Sequence, residues 1–179
     1  MSRIELQNPQ SANGERKEIF SEINKAFGTT PNMFKAIANS TSALKMMWSA
    51  FGALGGGKLG AKLGEQIAVA VADLNRCEYC LAAHTALGKG AGLTAETMSH
   101  AQNGKSSDPK TQAALSFAVK LVKERAHVSP DDISALKKAG YSDEEIVEIL
   151  AHVALNIFTN YTNVAFDVPV DFPKVAFRS

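Results

Sequence analysis

The sequence predicts an all-α domain, and three observations support this prediction. The chain is rich in Ala, Leu, Lys and Glu, it shows no strand-like alternation before its C-terminal tail, and capping residues precede most of its apolar segments. Its 179 residues fit a single domain, 1–179. We expect the core at about residues 59–165 and an extended C-terminal arm at 166–179.

The N-terminal third contains three predicted helices. Apolar residues at helical spacing predict the first over residues 11–27, and Thr30-Pro31 predicts the start of a short second helix. Residues 41–54 predict an apolar third helix, which the glycines at 55–57 end. Four large residues on it are expected in the core or in a subunit interface rather than against a cofactor: Met46, Met47, Trp48 and Phe51.

The central segment predicts two consecutive helices. Residues 59–73 are apolar nearly all round, which is typical of a buried helix. A break follows at residues 74–76, and either Asp73 or Asn75 is predicted to cap the next helix, over about residues 76–88. Gly90 and Gly92 then indicate its end.

Four further helices are predicted in the C-terminal half, ending near residues 101, 127, 139 and 164. In the last of them, Ser142 and Glu145 form a predicted capping box. Residues 91–96 and 139–144 share a glycine stop, a hydroxyl cap and an acidic first turn, which fits either ordinary helix–turn–helix sequence or a repeated helical hairpin. The predicted N-caps are Thr94, Asp108, Ser129 and Ser142.

Composition narrows the choice of partners and location. A net charge of +1 and a pI near 7.8 give no electrostatic reason to expect nucleic acid or membrane lipid as a partner. The N-terminus lacks the apolar core of a signal peptide, and the longest near-apolar stretch, residues 67–74, is too short to span a bilayer. We therefore expect a cytoplasmic protein. The helix at 41–54 and the tail aromatics suggest subunit packing; these aromatics are Phe166, Phe172 and Phe177.

The two cysteines of the chain, Cys77 and Cys80, lie three residues apart. This spacing excludes a framework of structural disulfides and favours a paired redox or metal role. At the start of one helix the two thiols share a face, and His84 lies four residues after Cys80 on that face. Unpaired N–H groups and the helix dipole there favour the thiolate.

Glu65 is the candidate partner of His84. It lies twelve residues before Cys77 in an apolar segment, and a fold-back at the break would bring it to the imidazole and let it orient the ring. Lowering the pKa of the thiol would by itself raise its reaction rate only about two- to threefold. If this site reduces peroxides, proton transfer to the departing alkoxide therefore contributes more to the rate. A zinc site is an alternative, and it would need Cys77, Cys80 and His84 with a further ligand such as Glu65. A third possibility is that the CxxC spacing arises by coincidence.

Glutamate, eleven residues, Cys-x-x-Cys, three residues and histidine form a pattern that resembles the AhpD-like alkylhydroperoxidases of the carboxymuconolactone decarboxylase superfamily, in their peroxidase-related branch. The resemblance covers residues 59–102 strongly, and residues 152–163 are similar to the last helix of that family. It implies an AhpD-like helical bundle that assembles into a homo-oligomer, a trimer or a hexamer. No motif suggests haem or flavin, so no cofactor is expected.

The resemblance also implies roles for the site residues. Cys80 would attack a hydroperoxide, Cys77 would resolve the product as a disulfide, and His84 with Glu65 would relay protons. A dithiol reductant, lipoyl-bearing or thioredoxin-like, would reset the pair. One departure is Tyr79, which stands where the prototype of the family has a histidine between the cysteines. The alternatives are a non-catalytic redox sensor and a zinc-binding helical protein; His152 receives no role.

Overall fold

The computed structural model describes residues 2–178; Met1 and Ser179, the ends of the predicted domain, lie outside the described residues. Within that range the chain is all-helical without strands, as predicted. No helix in this range is long and apolar enough to cross a bilayer. After a short 3-10 helix (Pro9–Ser11), the α-helices are α1 (Gly14–Phe27), α2 (Asn32–Ile37), α3 (Thr41–Gly55), α4 (Gly60–Leu74), α5 (Glu78–Gly90), α6 (Ala95–Gln102), α7 (Pro109–Lys123), α8 (Pro130–Lys138) and α9 (Asp143–Ala165).

The helices of the C-terminal half begin where their capping residues predict. The side chains of Thr94 and Asp108 accept hydrogen bonds from the backbone N–H three residues on. Ser142 and Glu145 form the predicted capping box. The predicted extent of α7 to about residue 127 is wrong, because Arg125 and Ala126 adopt left-handed backbone angles (φ 50° and 64°) that end the helix.

Helix α4 is the centre of the fold. It packs against α5, α6, α7 and α9, and its residues from Gln66 to Asp73 are all buried. This burial on every side explains why its sequence is apolar nearly all round. Because α5 folds back along α4, side chains of these two helices meet inside the molecule.

The C-terminal arm lies on its own chain. The backbone N–H of Asn32 donates to Asp171 (2.8 Å), and the N–H of Arg178 donates to Asp73 Oδ1 (3.0 Å). The guanidinium of Arg76 lies 4.3 Å from the centre of the Phe177 ring. Phe172 and Phe177 pack within the chain, and the expected role of the tail aromatics in subunit packing stays a prediction. Phe166 remains partly exposed.

Candidate active site

The two thiols lie at the start of α5, but Cys77 is the capping residue itself. Its backbone is extended (φ −91°, ψ 94°), and its Sγ accepts a hydrogen bond from the N–H of Cys80 at 3.2 Å. The predicted caps Asp73 and Asn75 are wrong, since Asp73 accepts from Gln102 and Asn75 donates to Asn160. Both cysteines are reduced and fully buried.

Glu65 and His84 form a buried ion pair beside the thiols. Glu65 projects from α4, His84 projects from α5, and Oε2 of the glutamate lies 2.8 Å from Nδ1 of the imidazole. Their side chains are only 20% and 12% exposed, so water screens the pair weakly. The fold-back expected from the sequence thus brings the two residues together, whereas their chemical roles stay predictions.

The environment separates the protonation behaviour of the two thiols. Burial acts to raise the pKa of Cys80, but the hydrogen bond from the Cys77 thiol and the charge of His84 outweigh it and lower this pKa to about 7. The same hydrogen bond to Cys80, together with burial, raises the pKa of Cys77. Near neutral pH, Cys80 therefore exists in part as the thiolate, while Cys77 keeps its proton.

The pKa of His84 is raised overall. Burial favours the neutral ring and acts to lower this pKa. The charge and the hydrogen bond of Glu65 raise the pKa by more than burial lowers it, and the Cys80 thiolate raises it further. The ion pair therefore stabilises an imidazolium beside the thiolate. This arrangement provides an anionic sulfur and a proton donor within one site.

An apolar cavity of about 340 Å³ opens onto Cys80 and His84. Its walls come from α1, α2, α3 and the C-terminal arm. Trp48 and Phe51 pack against the core, as expected, and both also line this cavity. Met47 is buried in the core and Met46 is half-exposed. The aromatic wall consists of Phe27, Phe34, Trp48, Phe51 and Phe172.

Tyr79 has a structural role at the position between the cysteines. It is buried, its hydroxyl accepts a hydrogen bond from the N–H of Met33 (3.2 Å), and its ring packs edge-on against Phe172 at 5.7 Å. Burial raises its pKa, so the phenol keeps its proton. Tyr79 thus fastens α2 and the C-terminal arm to the CxxC segment and supplies no second acid–base group.

Sequence reasoning missed two asparagines of α9 that approach the Cys80 sulfur. Nδ2 of Asn163 donates to Cys80 Sγ at 3.2 Å, and the amide of Asn160 helps to lower the pKa of Cys80. Both residues are buried. The available signal was their spacing: two amides three positions apart on the apolar face of a long helix indicate polar groups with a buried partner.

His152 lies on the far side of the ion pair. It lines a separate cavity of about 160 Å³ with Glu65 and His84, and burial lowers its pKa. Within residues 2–178, no three His, Cys, Asp or Glu side chains converge in a way that could hold a metal ion. Glu65, Cys77, Cys80 and His84 thus do not converge as a zinc site would require.

Comparison with known proteins identifies the family. Residues 42–124 match the model of the Carboxymuconolactone decarboxylase family. This match spans just under half of the chain and supports the carboxymuconolactone decarboxylase superfamily. A search of curated proteins gives no match. The match agrees with the superfamily expected from the Glu65–His84 pattern, while the family also includes decarboxylases and does not by itself specify the reaction.

Solved structures share this AhpD-like fold over nearly the whole chain. A peroxidase-related protein from Silicibacter sp. TM1040 is 23% identical, with a TM-score of 0.81 over 98% of this chain and 92% of its own. An alkylhydroperoxidase AhpD core protein from Ralstonia eutropha JMP134 is also 23% identical, with a TM-score of 0.85 over 95% and 92%. A cysteine-to-alanine variant of the debrominase Bmp8, in complex with 2,3,4-tribromopyrrole, is 21% identical, with a TM-score of 0.80 over 96% and 94%.

Proposed function

We propose that this protein is a thiol-dependent peroxidase that reduces organic hydroperoxides with the Cys77/Cys80 pair. One observation carries the proposal: a buried thiolate with a pKa of about 7 lies beside the Glu65–His84 ion pair on the floor of an apolar cavity. A nucleophile, a proton donor and room for an organic substrate thus meet at one point.

The first half-reaction uses the thiolate and the imidazolium. Cys80 Sγ attacks one peroxide oxygen, the O–O bond breaks, and the leaving alkoxide takes a proton from His84 to become the alcohol. Cys80 becomes a sulfenic acid, so sulfur is oxidised and peroxide reduced by two electrons. Glu65 holds the imidazole in place and keeps it protonated until the alkoxide departs.

The second half-reaction closes the disulfide. Cys77 loses its proton, and its sulfur displaces the oxygen of the sulfenic acid as water. This step is supported by the position of Cys77 Sγ, which lies 3.2 Å from the backbone nitrogen of Cys80. A dithiol of the lipoyl or thioredoxin-like class then attacks the disulfide and restores both thiols, leaving its own sulfurs oxidised.

The cavity walls favour an organic hydroperoxide over hydrogen peroxide. Because the cavity is lined mainly by apolar side chains, many of them aromatic, a bound hydrocarbon or aryl group would bury apolar surface that hydrogen peroxide lacks. A volume of about 340 Å³ suits a small organic molecule. We therefore expect cumene hydroperoxide to give a lower KM than hydrogen peroxide.

The decisive experiment measures peroxide loss with dithiothreitol and with reduced lipoamide. Cys80→Ser should abolish consumption of cumene hydroperoxide. Cys77→Ser keeps a side chain that can cap α5, and it should consume a single equivalent and then stop. Undiminished turnover by Cys80→Ser would end the proposal. A single oxidation event by the unaltered protein, without further cycles, would favour the redox-sensor alternative.

Reductive dehalogenation is a second candidate, and the aromatic cavity favours it. The debrominase Bmp8, whose fold is similar, was crystallised with a brominated pyrrole. In such a reaction an aryl C–Br bond becomes C–H, bromide leaves, and two thiols become a disulfide. Release of bromide from 2,3,4-tribromopyrrole in the presence of dithiothreitol tests this activity. Peroxide turnover without bromide release would exclude dehalogenation of this compound and support the peroxidase proposal.

A stripe on α9 suits a second copy of this chain. Its members recur at intervals of three and four residues, as in a helix–helix seam, and two of them, Val147 and Tyr161, are 65% and 62% exposed. We expect this stripe to pack between subunits of the trimer or hexamer. Light scattering of Val147→Glu should then show smaller particles than the unaltered protein. The stripe consists of Val147, Leu150, Ala154, Ile157, Tyr161 and Val164.

A further inference from the structure

Two polar atoms near the sulfur of Cys80 make no hydrogen bond of ordinary geometry. Asn160 Nδ2 and Asn163 Oδ1 are buried, and neither has a hydrogen-bond partner in the part of the chain that the structure describes. Buried polar atoms are almost always paired, because leaving them unpaired costs stability. Two such atoms at one reactive sulfur therefore point to a group that is missing from the reduced state.

The orientation of each amide identifies what it can offer. Oδ1 of Asn160 accepts a hydrogen bond from Asn75 Nδ2 at 3.0 Å, and Nδ2 of Asn160 lies close enough to Cys80 to lower the pKa of the thiol but makes no hydrogen bond of ordinary geometry. Nδ2 of Asn163 is engaged by the Cys80 sulfur at 3.2 Å, which leaves its Oδ1 as a free acceptor. The site thus presents one donor and one acceptor, fixed on a single face of α9.

We propose that Asn160 and Asn163 form the binding site for the sulfenic acid of Cys80, an inference that rests on the peroxidase proposal for the oxidised state. The oxygen of the S–OH group accepts from Asn160 Nδ2, and its hydrogen is donated to Asn163 Oδ1. In the reduced state, Asn163 Nδ2 binds the thiolate. The two amides are therefore catalytic residues, because they bind the Cys80 sulfur first as the thiolate and then as the sulfenic acid.

This arrangement has a chemical purpose. A sulfenic acid deprotonates readily to a nucleophilic anion, which a second peroxide converts irreversibly to the sulfinic acid. An amide oxygen that accepts the S–OH hydrogen keeps the group protonated, and a neutral donor at its oxygen assists departure as water. Neutral amides achieve this without adding a charge to a fully buried pocket.

The thiolate half of the proposal is tested without peroxide. Site-specific alkylation of Cys80 by iodoacetamide, followed by mass spectrometry across pH, reports the midpoint of thiolate formation. Asn163→Ala should raise this midpoint by about one pH unit or more, because a hydrogen bond to a charged group is lost. An unchanged midpoint would overturn this half of the proposal.

The sulfenic acid half is tested in Cys77→Ser, in which no disulfide can form. After one equivalent of cumene hydroperoxide, the sulfenic acid is trapped at intervals with dimedone, and the sulfinic acid is counted by mass spectrometry. Asn160→Asp keeps the contact with Asn75 but removes the donor, and it should increase the sulfinic fraction several-fold, as should Asn163→Ala. Equal fractions in all variants would overturn the site.

The matched control is Thr159→Val. This residue is equally buried on α9, and its hydroxyl donates to the backbone of Asn156 rather than to the cysteine. It should leave both readouts unchanged, and a shift equal to that of Asn163→Ala would show a general effect of disturbing α9. If Asn163→Ala raises the alkylation midpoint while Cys77→Ser never reacts with peroxide, the thiolate site stands and the peroxidase proposal fails.

Discussion

Replacing Glu65 by glutamine tests the proton relay most directly. The substitution keeps the size of the side chain but removes the charge that lies 2.8 Å from His84 Nδ1. Without this charge, burial dominates and the pKa of His84 falls. A hydrogen bond to a charged group contributes roughly 1.5–3 kcal/mol, so we expect kcat/KM for cumene hydroperoxide to fall about 10- to 100-fold near pH 7.

The pH profile separates loss of the relay from general damage. In the unaltered protein, kcat/KM should rise as pH passes about 7, where Cys80 loses its proton, and should fall at higher pH as His84 loses its own. Because the pKa of His84 is raised in the unaltered protein, Glu65→Gln should move the falling limb to lower pH. Stopped-flow peroxide consumption over a range of pH measures both limbs.

Glu78→Gln is the matched control for this experiment. Glu78 is an acid in the first turn of α5, but its side chain is half-exposed and pairs with Lys174 at 3.4 Å. Exposed pairs contribute little, so its kcat/KM should stay within about twofold of the unaltered protein. If Glu65→Gln behaved like this control, with the same falling limb, the relay would be refuted.

Three further predictions concern the cavity and the helix ends. Trp48→Ala opens the aromatic wall and should raise KM for cumene hydroperoxide about tenfold while leaving hydrogen peroxide unaffected, which steady-state kinetics will show. Ser142→Ala removes the cap of α9 and should lower the free energy of unfolding by about 1 kcal/mol in urea titrations. The hydrogen bond from Lys120 lowers the pKa of Asp132 to about 2, so its stabilisation is complete above the ordinary carboxyl pKa and disappears as pH falls through about 2. Asp132→Asn should therefore lower Tm at pH 7 and leave it unchanged below pH 2.

The helix starts could be predicted because their causes are local. Thr94 and Ser142 contact backbone groups within three residues of themselves, so the sequence contains both partners of each contact. The spacing of Cys80 and His84 is local in the same way, and it located the centre of the site. The contact between Glu65 and His84 required only one further step, the fold-back of α5 on α4.

The features that escaped prediction depend on distant parts of the chain. Asn75 is a good candidate for a cap, but its side chain is engaged by Asn160, 85 residues later. The residue that caps α5 is instead Cys77, two positions later. Trp48 and Phe51 escaped for a different reason, because an aromatic side chain has the same sequence signature in a core as on a cavity wall.

The sulfur that begins α5 is also the one that must move to reach its neighbour. A disulfide between Cys77 and Cys80 would place the two Cβ atoms about 3.8 Å apart, so the Cys77 sulfur, which caps the helix in the reduced protein, would have to turn towards Cys80. The Cys80 N–H donates to that same sulfur in the reduced protein. If the proposed disulfide forms, we therefore expect amide hydrogen exchange at Cys80 to differ between the reduced and the oxidised protein.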